Sequence, residues 1–305
     1  MLRSPLCDFS FAHPYSISPS EALQQLVTQS DGQVIIVTGA ASGIGRELCR
    51  LFGRRQAKIG LIDRDKGRLE AFTGELRQSG VSCFGVAVDV GLRKRVQAAV
   101  RQIVRVLGPP DILIPCAGIC RASTVDDLRI SELEAIFRIN FLGMVYMIEA
   151  VLPSMLERNR GQIAGISSMA GVRGIPFEPA YSASKAAVTT YLESLRYELR
   201  QRRITVTTVF PGYVKTPLLD EINAMMGADM SGGKALPPEA AAALIMNGIL
   251  QHKSYVYLPA RLGLRVRLSW FMPPHMYDRM IGRIFSRFPI SRRGHRAGRE
   301  SPAGE

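Results

Sequence analysis

From Gln33 onward the chain alternates short apolar runs with stretches of helical period. The runs are VIIVTG (34–39), KIGLID (58–63), CFGVAVDV (83–90), DILIPCAG (111–118), GQIAGISS (161–168), ITVTTVFPG (204–212) and SYVYLP (254–259). Helical spacing fills 44–55, 66–79, 91–107, 131–158, 180–202 and 237–251. Runs this short and apolar read as buried strands, and helices between them impose parallel crossovers. The expected fold is therefore α/β: a Rossmann-like, doubly wound parallel sheet of about seven strands with helices on both faces. The 305 residues, 47% of them hydrophobic, are enough for one large domain with extensions. Its expected bounds are 33–260, with an N-terminal arm over 1–32 and a basic helical extension over 261–305. In the arm, Ser18-Pro-Ser-Glu21 reads as a helix start that presents Ala22, Leu23, Leu26 and Val27 on one face.

Ligands of such a sheet bind beyond the carboxyl ends of the strands, and the unusual residues gather there. The first strand ends in Thr38-Gly-Ala-Ala-Ser-Gly-Ile-Gly45. Glycines at 39, 43 and 45 allow a tight turn and a close backbone approach, and the helix opening near Ile44 offers free N–H groups and a partial positive charge to a phosphate. Asp63 ends the second strand, 24 residues beyond Gly39. An acid there can hydrogen-bond both ribose hydroxyls of an adenosine and repels a 2′-phosphate. That favours NAD, with NADP as the alternative because Arg64 follows directly. Asp89 and Val90 end the third run and suit an adenine pocket. The remaining strand ends carry Cys116-Ala-Gly118, Ser167-Ser168 and Pro211-Gly212.

A second signature lies in AYSASKAAVTTYLESLRYEL. Tyr181 and Lys185 are four apart on a predicted helix, about 6 Å between Cβ atoms. An ammonium beside a phenol favours the phenolate, so Tyr181 is expected to titrate below its usual value and to act as an acid/base.

Taken in order and spacing, these residues resemble the short-chain dehydrogenase/reductase family, in its common single-domain branch. The matching segments are TGAASGIG (38–45), Asp63, Asp89-Val90, AGI (117–119), Asn140, ISS (166–168), YSASK (181–185) and PGYVKT (211–216). They span about 33–260. The resemblance implies an oxidoreductase that interconverts a secondary alcohol and a ketone by hydride transfer. It implies Tyr181 as acid/base and Lys185 as the residue that lowers its pKa and holds the nicotinamide ribose. It implies Ser168, 13 residues before Tyr181, as the group that positions the carbonyl, and Asn140 as the anchor of a proton-relay water. It assigns cofactor binding to Gly39, Ser42, Gly43, Ile44, Gly45, Asp63, Arg64, Asp89, Val90, Ala117, Gly118, Tyr181, Lys185, Pro211, Gly212, Val214 and Thr216. It also implies a homodimer or homotetramer built on the long helices 131–158 and 181–202. One position departs from the pattern: Cys116 stands where the family usually has Asn. A non-catalytic nucleotide-binding scaffold on the same fold is the competing class, and the joint presence of Asn140, Ser168, Tyr181 and Lys185 argues against it.

Residues 213–236, with Met225, Met226 and Met230 among glycines, are expected to form an adaptable apolar lid. With Leu218, Leu219 and Ile222, and with Met169, Val172, Ile175, Pro176 and Phe177, they favour an apolar or lipid-like substrate. An NADP-linked lipid-ketone reductase is the variant of that reading. The net charge is +13, and residues 251–305 carry eleven Lys or Arg against three Asp or Glu, which is +8 of it. In 261–288 arginines interleave with Leu, Trp, Phe and Met. That pattern suits a helix lying in a membrane interface, and it suits packing over the pocket or a subunit contact equally; nucleic acid is not expected. Residues 292–305 read as disordered. Five cysteines without a CxxC pair, and His13, His252, His275 and His295 without an i, i+4 partner, point away from a disulfide scaffold and from a metal site. No run approaches the roughly 18 apolar residues of a membrane span, and the N-terminus makes a poor secretory or transit signal. The expected location is cytoplasmic, with membrane association through 261–288 as the open question.

Overall fold

The computed structural model describes residues 32–286. The helix expected near Ser18 and the disorder expected over 292–305 lie outside the described residues.

Strands β1 (Val34–Thr38), β2 (Lys58–Asp63), β3 (Cys83–Ala87), β4 (Ile112–Pro115), β5 (Gly161–Ile166), β6 (Ile204–Pro211) and β7 (Tyr255–Leu258) form one sheet in the order β3-β2-β1-β4-β5-β6-β7. Each neighbouring pair is parallel. Parallel pairing requires a crossover between strands, and the helices supply it. In chain order they are α1 (Gly43–Gly53), α2 (Lys66–Gln78), α3 (Arg93–Leu107), α4 (Ile130–Phe137), α5 (Gly143–Arg158), α6 (Pro179–Glu198), α7 (Pro217–Met226), α8 (Pro238–Leu250), α9 (Ala260–Leu268) and α10 (Pro274–Phe285).

The side-chain period of two divides each strand between two cores. Ile35 and Val37 of β1 join Leu48, Phe52, Phe72 and Ile245 on the face covered by α1, α2 and α8. Val34 and Ile36 join Val100, Ile103, Met147, Val151 and Leu192 on the face covered by α3, α5 and α6. With both faces buried, β1 is apolar through Val37 and closes on a buried Thr38. The strand order reverses between β1 and β4, which opens a crevice at their carboxyl ends.

Several boundaries differ from the sequence reading. β3 stops at Ala87 and β5 at Ile166, so Asp89 and Ser168 sit in the turns beyond. Their side chains take over from the ladder: Asp89 Oδ1 accepts the Gly91 N–H at 2.8 Å and Ser168 Oγ accepts the Ala170 N–H at 3.1 Å. The helix expected over 180–202 ends at Glu198 and tightens into a 3-10 turn, Leu199–Gln201. The stretch expected as one helix over 131–158 is continuous but carries a π-type turn, Arg138–Leu142, between α4 and α5. By length and composition Ile130–Arg158 is also apolar enough to cross a membrane, contrary to the sequence expectation. It passes that test because its inner face is a core stripe: Met144, Met147, Ile148, Val151 and Met155 are buried against the sheet and α3.

Leu113, at the centre of β4, is fully buried. Leu113→Ala is expected to lower the unfolding free energy by about 2–5 kcal/mol, read as a lower urea midpoint.

Candidate active site

The turn after β1 is built to receive something close to its backbone. Gly39 and Gly43 hold φ of +65° and +51°, and a Cβ at Gly45 would lie 2.3 Å from the Gly39 carbonyl oxygen. Ser42, which precedes α1, makes no side-chain cap. The first turn of α1 therefore keeps N–H groups for an outside acceptor, and this cradle fits the phosphates of a dinucleotide.

Asp63 is half-buried at the end of β2 and braces the cradle. Its Oδ2 accepts the Ala41 N–H at 3.0 Å and its Oδ1 accepts the Asp65 N–H at 3.0 Å. Arg64 beside it is exposed. Thr38 Oγ1 accepts the N–H groups of Cys116 and Ala117 at 3.1 and 3.0 Å, tying the ends of β1 and β4 together. Cys116, in the place of the usual Asn, faces the Gly45 N–H, and burial pushes its thiol up to about 11. The strand ends thus keep their hydrogen bonds without an amide side chain there. Asp89 is exposed and Val90 buried, both beyond β3.

A cavity of about 780 Å³ opens from the cradle along the ends of β4, β5 and β6. Gly39, Ser42, Gly43, Ile44, Gly45, Ala117 and Gly118 line one end. Ser168, Tyr181 and Lys185 line its floor, and Pro211, Gly212, Val214 and Thr216 its flank. Asp63, Arg64, Asp89, Val90 and Asn140 do not line it; they stand behind or beside it. Leu218, Leu219 and Ile222 of α7 close one side, and Leu262, Val266, Met280, Ile281 and Phe285 of α9 and α10 close another. The extension after β7 thus packs over the pocket.

Side-chain ties around α6 hold the floor. Lys185 Nζ donates to the Ile166 carbonyl at 2.9 Å and lies 5.7 Å from the Tyr181 ring centroid. Ser167 Oγ donates to the Lys185 carbonyl at 2.9 Å, so its hydroxyl is tied to α6, while Ser168 beside it also lines the cavity. Asn140, carried by the π-type turn, is 2% exposed. Its Oδ1 accepts the Ile119 N–H at 2.8 Å, and its Nδ2 donates to the Ile119 carbonyl at 2.9 Å and to Ser184 Oγ at 3.0 Å. The extra residue of a π-type turn re-aims one side chain out of helical register, and here that side chain is Asn140.

The expected electrostatics are corrected. Burial pushes the Tyr181 phenol far above its ordinary value, outweighing the hydrogen bond with Ser168 that lowers it. Burial also pulls Lys185 down to about 8. Burial thus biases each group toward its neutral form, against the attraction between ammonium and phenolate that the spacing suggests.

One lining group is not legible in the sequence as a site residue. Glu178 immediately precedes α6 and is 4% exposed, and burial pushes its carboxyl up to about 7. Its signal is a charge inside the otherwise apolar GIPFEPAY, three residues before Tyr181.

A glycine cradle facing a buried tyrosine and lysine across the carboxyl ends of a doubly wound sheet defines a nucleotide-linked oxidoreductase. Residues 33–227 match the sequence profile of the short chain dehydrogenase family, and the chain belongs to that family. It is an oxidoreductase acting on CH–OH groups with NAD(P). The mouse protein dehydrogenase/reductase SDR family member 7B is 38% identical over 212 residues, 68% of this chain and 65% of its own length. The chain thus spans just under two thirds of that relative. A short-chain dehydrogenase/reductase from Burkholderia phymatum, solved in complex with NAD, superposes with a TM-score of 0.74 at 25% identity, covering 79% of this chain and 93% of its own. A single-substitution variant of an actinorhodin polyketide ketoreductase, solved with NADPH, gives 0.70 at 27% identity, covering 76% and 97%.

The Glu178 carboxyl supplies a pH test. Its folded value lies near 7 against an ordinary 4.5. Between those values the folded protein keeps a proton that the unfolded chain releases, so its contribution to stability is present at low pH and lost as pH rises through the window. Denaturant midpoints without nucleotide, measured from about pH 4.5 to 7.5, are expected to fall less steeply with pH in Glu178→Gln than in the parent.

Proposed function

We propose that this chain interconverts an apolar secondary alcohol and its ketone, with NAD(H) preferred over NADP(H). The observation that carries the reading is the one cavity in which the glycine cradle, Ser168, Tyr181 and Lys185 meet under an apolar roof. Residues 33–260 form the catalytic unit and 261–286 its cap. The nicotinamide cofactor supplies the hydride acceptor or donor. Tyr181 accepts the hydroxyl proton in oxidation and returns one to the carbonyl oxygen in reduction. Ser168 donates a hydrogen bond to the oxygen on which charge develops. Lys185, which lines the same cavity beside Tyr181, holds the cofactor's ribose. Asn140 fixes the loop after β4 through Ile119 and reaches the Tyr181 turn through Ser184, whose hydroxyl donates to the Tyr181 carbonyl at 2.8 Å.

Asp63 supports the preference for NAD, since a carboxylate at the end of β2 opposes a 2′-phosphate. The exposed Arg64 beside it supports an NADP-linked lipid-ketone reductase as the second reading. The lid and cap support an apolar substrate: Leu219, Ile222, Met226, Met230 and Phe285 share one buried cluster with Tyr181. The outer surface of the cap adds a partner. Leu264, Leu268, Trp270 and Phe271 are 56–87% exposed, with Arg261, Arg265, Arg267, Arg279 and Arg283 exposed around them. That combination suits an anionic lipid surface. The exposed Leu133, Leu142 and Tyr197 on the long helices suit a homo-oligomer.

Tyr181→Phe is expected to lower turnover of medium-chain secondary alcohols by about 10²–10⁴-fold while leaving NADH binding near the parent value. Substantial residual turnover would show that another group moves the proton. Asp63→Ala is expected to weaken NADH and narrow the NADH/NADPH ratio; equal loss of both cofactors would remove the ribose assignment. On the cap, Phe271→Asp is expected to reduce co-sedimentation with phosphatidylserine vesicles, and unchanged sedimentation would remove the membrane partner.

A further inference from the structure

The main chain of Glu178 does ordinary structural work. Its N–H donates to the Ile175 carbonyl at 3.3 Å, and its carbonyl accepts the Ser182 N–H at 2.9 Å. Any residue serves those bonds. The carboxyl is another matter: it is buried, it lines the cavity, and its Oε1 has no hydrogen-bond partner among the described residues. The described titratable groups that feel its charge are Tyr181, Tyr213 and Cys120, and no described cation offsets its burial. Arg121, beside Cys120 in sequence, is engaged with Glu221 at 2.7 Å.

The backbone is bent to put the carboxyl there. Phe177, just before it, holds a φ of +68°, a left-handed conformation that a bulky residue adopts only when its surroundings impose it. Its carbonyl accepts the Ser123 N–H at 2.8 Å and its ring packs against Phe285 of the cap at 6.2 Å between centroids. Loop, cap and the loop after β4 together hold a turn that places a carboxyl with one unpaired oxygen, Oε1, at the wall of an apolar cavity, three residues before the proposed acid/base. A buried polar group without a partner is costly and is kept where a ligand supplies the partner.

We propose that Glu178 is the acceptor for a second polar group of the substrate, a hydroxyl or a protonated amine carried close to the reacting carbon of an otherwise apolar alcohol or ketone. This rests on the oxidoreductase reading of the same cavity and names its substrate class. Glu178 and Tyr181 line the same cavity, three residues apart, and the phenol feels the carboxyl's charge. A donor bound by Glu178 while the carbinol faces Tyr181 therefore sits at the same end of the substrate as the carbinol. A simple secondary alcohol leaves the carboxyl unpaired, and a site built around a polar partner discriminates against the analogue that lacks it.

The test uses the full chain with NAD and three probes of one length: 2-decanol, 1,2-decanediol and 1-amino-2-decanol. The quantity read is the kcat/KM ratio of each donor-bearing probe to 2-decanol. In the parent at least one ratio is expected to exceed about ten, and Glu178→Leu is expected to bring it near one. Glu178→Gln, which keeps the shape, is expected to retain part of a diol preference and to lose an amine preference, which tells the two donors apart. Equal ratios in parent and Glu178→Leu overturn the proposal and leave the oxidoreductase reading standing. A binding readout separates the opposite case. Isothermal titration calorimetry of the NADH complex with decylamine and with decanol reads it. Binding of at least one is expected to weaken about tenfold in Glu178→Leu. If none of the probes turns over while that loss is seen, the alcohol–ketone reading fails for this chemistry and the Glu178 subsite holds; if neither ligand distinguishes the variants, the subsite is wrong.

Discussion

A parallel sheet covered on both faces leaves polar chemistry only one place to go, the ends of its strands. The strands flanking the crevice between β1 and β4 lose their apolar character as they reach it, and Thr38, Asp63 and Ser168 appear there or just beyond. None of these is a loose surface group. Thr38 joins two strands through two backbone N–H groups, and Asp63 holds the first turn through Ala41. The same side chains that terminate the ladders frame the cradle. That dual use explains how a turn of glycines, costly in backbone entropy, stays ordered next to a large cavity.

Burial then governs the chemistry inside. Tyr181 and Glu178 are pushed up and Lys185 is pulled down, in each case chiefly by loss of water. Three titratable groups in one cavity are all biased toward their neutral forms. Proximity of a lysine is not enough to make a tyrosine acidic; the lysine must itself be kept charged by something nearby. In this chain its ammonium has a carbonyl, that of Ile166, as its hydrogen-bond partner. A bound anionic cofactor would add the charge that favours the ammonium, so binding and acid/base competence are physically linked at Lys185.

The strand–helix alternation, Tyr181, Lys185 and the glycine cradle are legible in the sequence because each leaves a local pattern of period or spacing. What stays hidden depends on packing. A π-type turn at Arg138–Leu142 has the composition of an α-helix, so the sequence shows Asn140 but not the turn that aims it. Spacing gives the wrong sign for the Tyr181 shift because it reports distance and not the absence of water. Glu178 leaves no such pattern, since a lone acid before a helix ordinarily reads as a solvated cap. The turn that carries it is packed through Phe177 against Phe285, which lies 107 positions beyond Glu178. The arginine-rich extension reads equally as packing or as membrane contact. The structure shows its inner face, Leu262, Val266 and Ile281, closing the cavity, while Trp270 and Phe271 face outward.

That two-sidedness bears on how the cap is held. The roof of the cavity is assembled from α7 and from α9 and α10. Tyr277 donates to the Gly174 carbonyl at 3.1 Å, and Arg173 stacks on Tyr277 at 3.8 Å and on Trp270. These polar and cationic contacts fasten the cap to the loop bearing Ser168. Ring stacking of this kind is worth about 0.5–2 kcal/mol, well below the cost of unfolding the sheet. The cap is held as well by the buried cluster that Phe285 shares with Tyr181, Leu219, Ile222 and Met226.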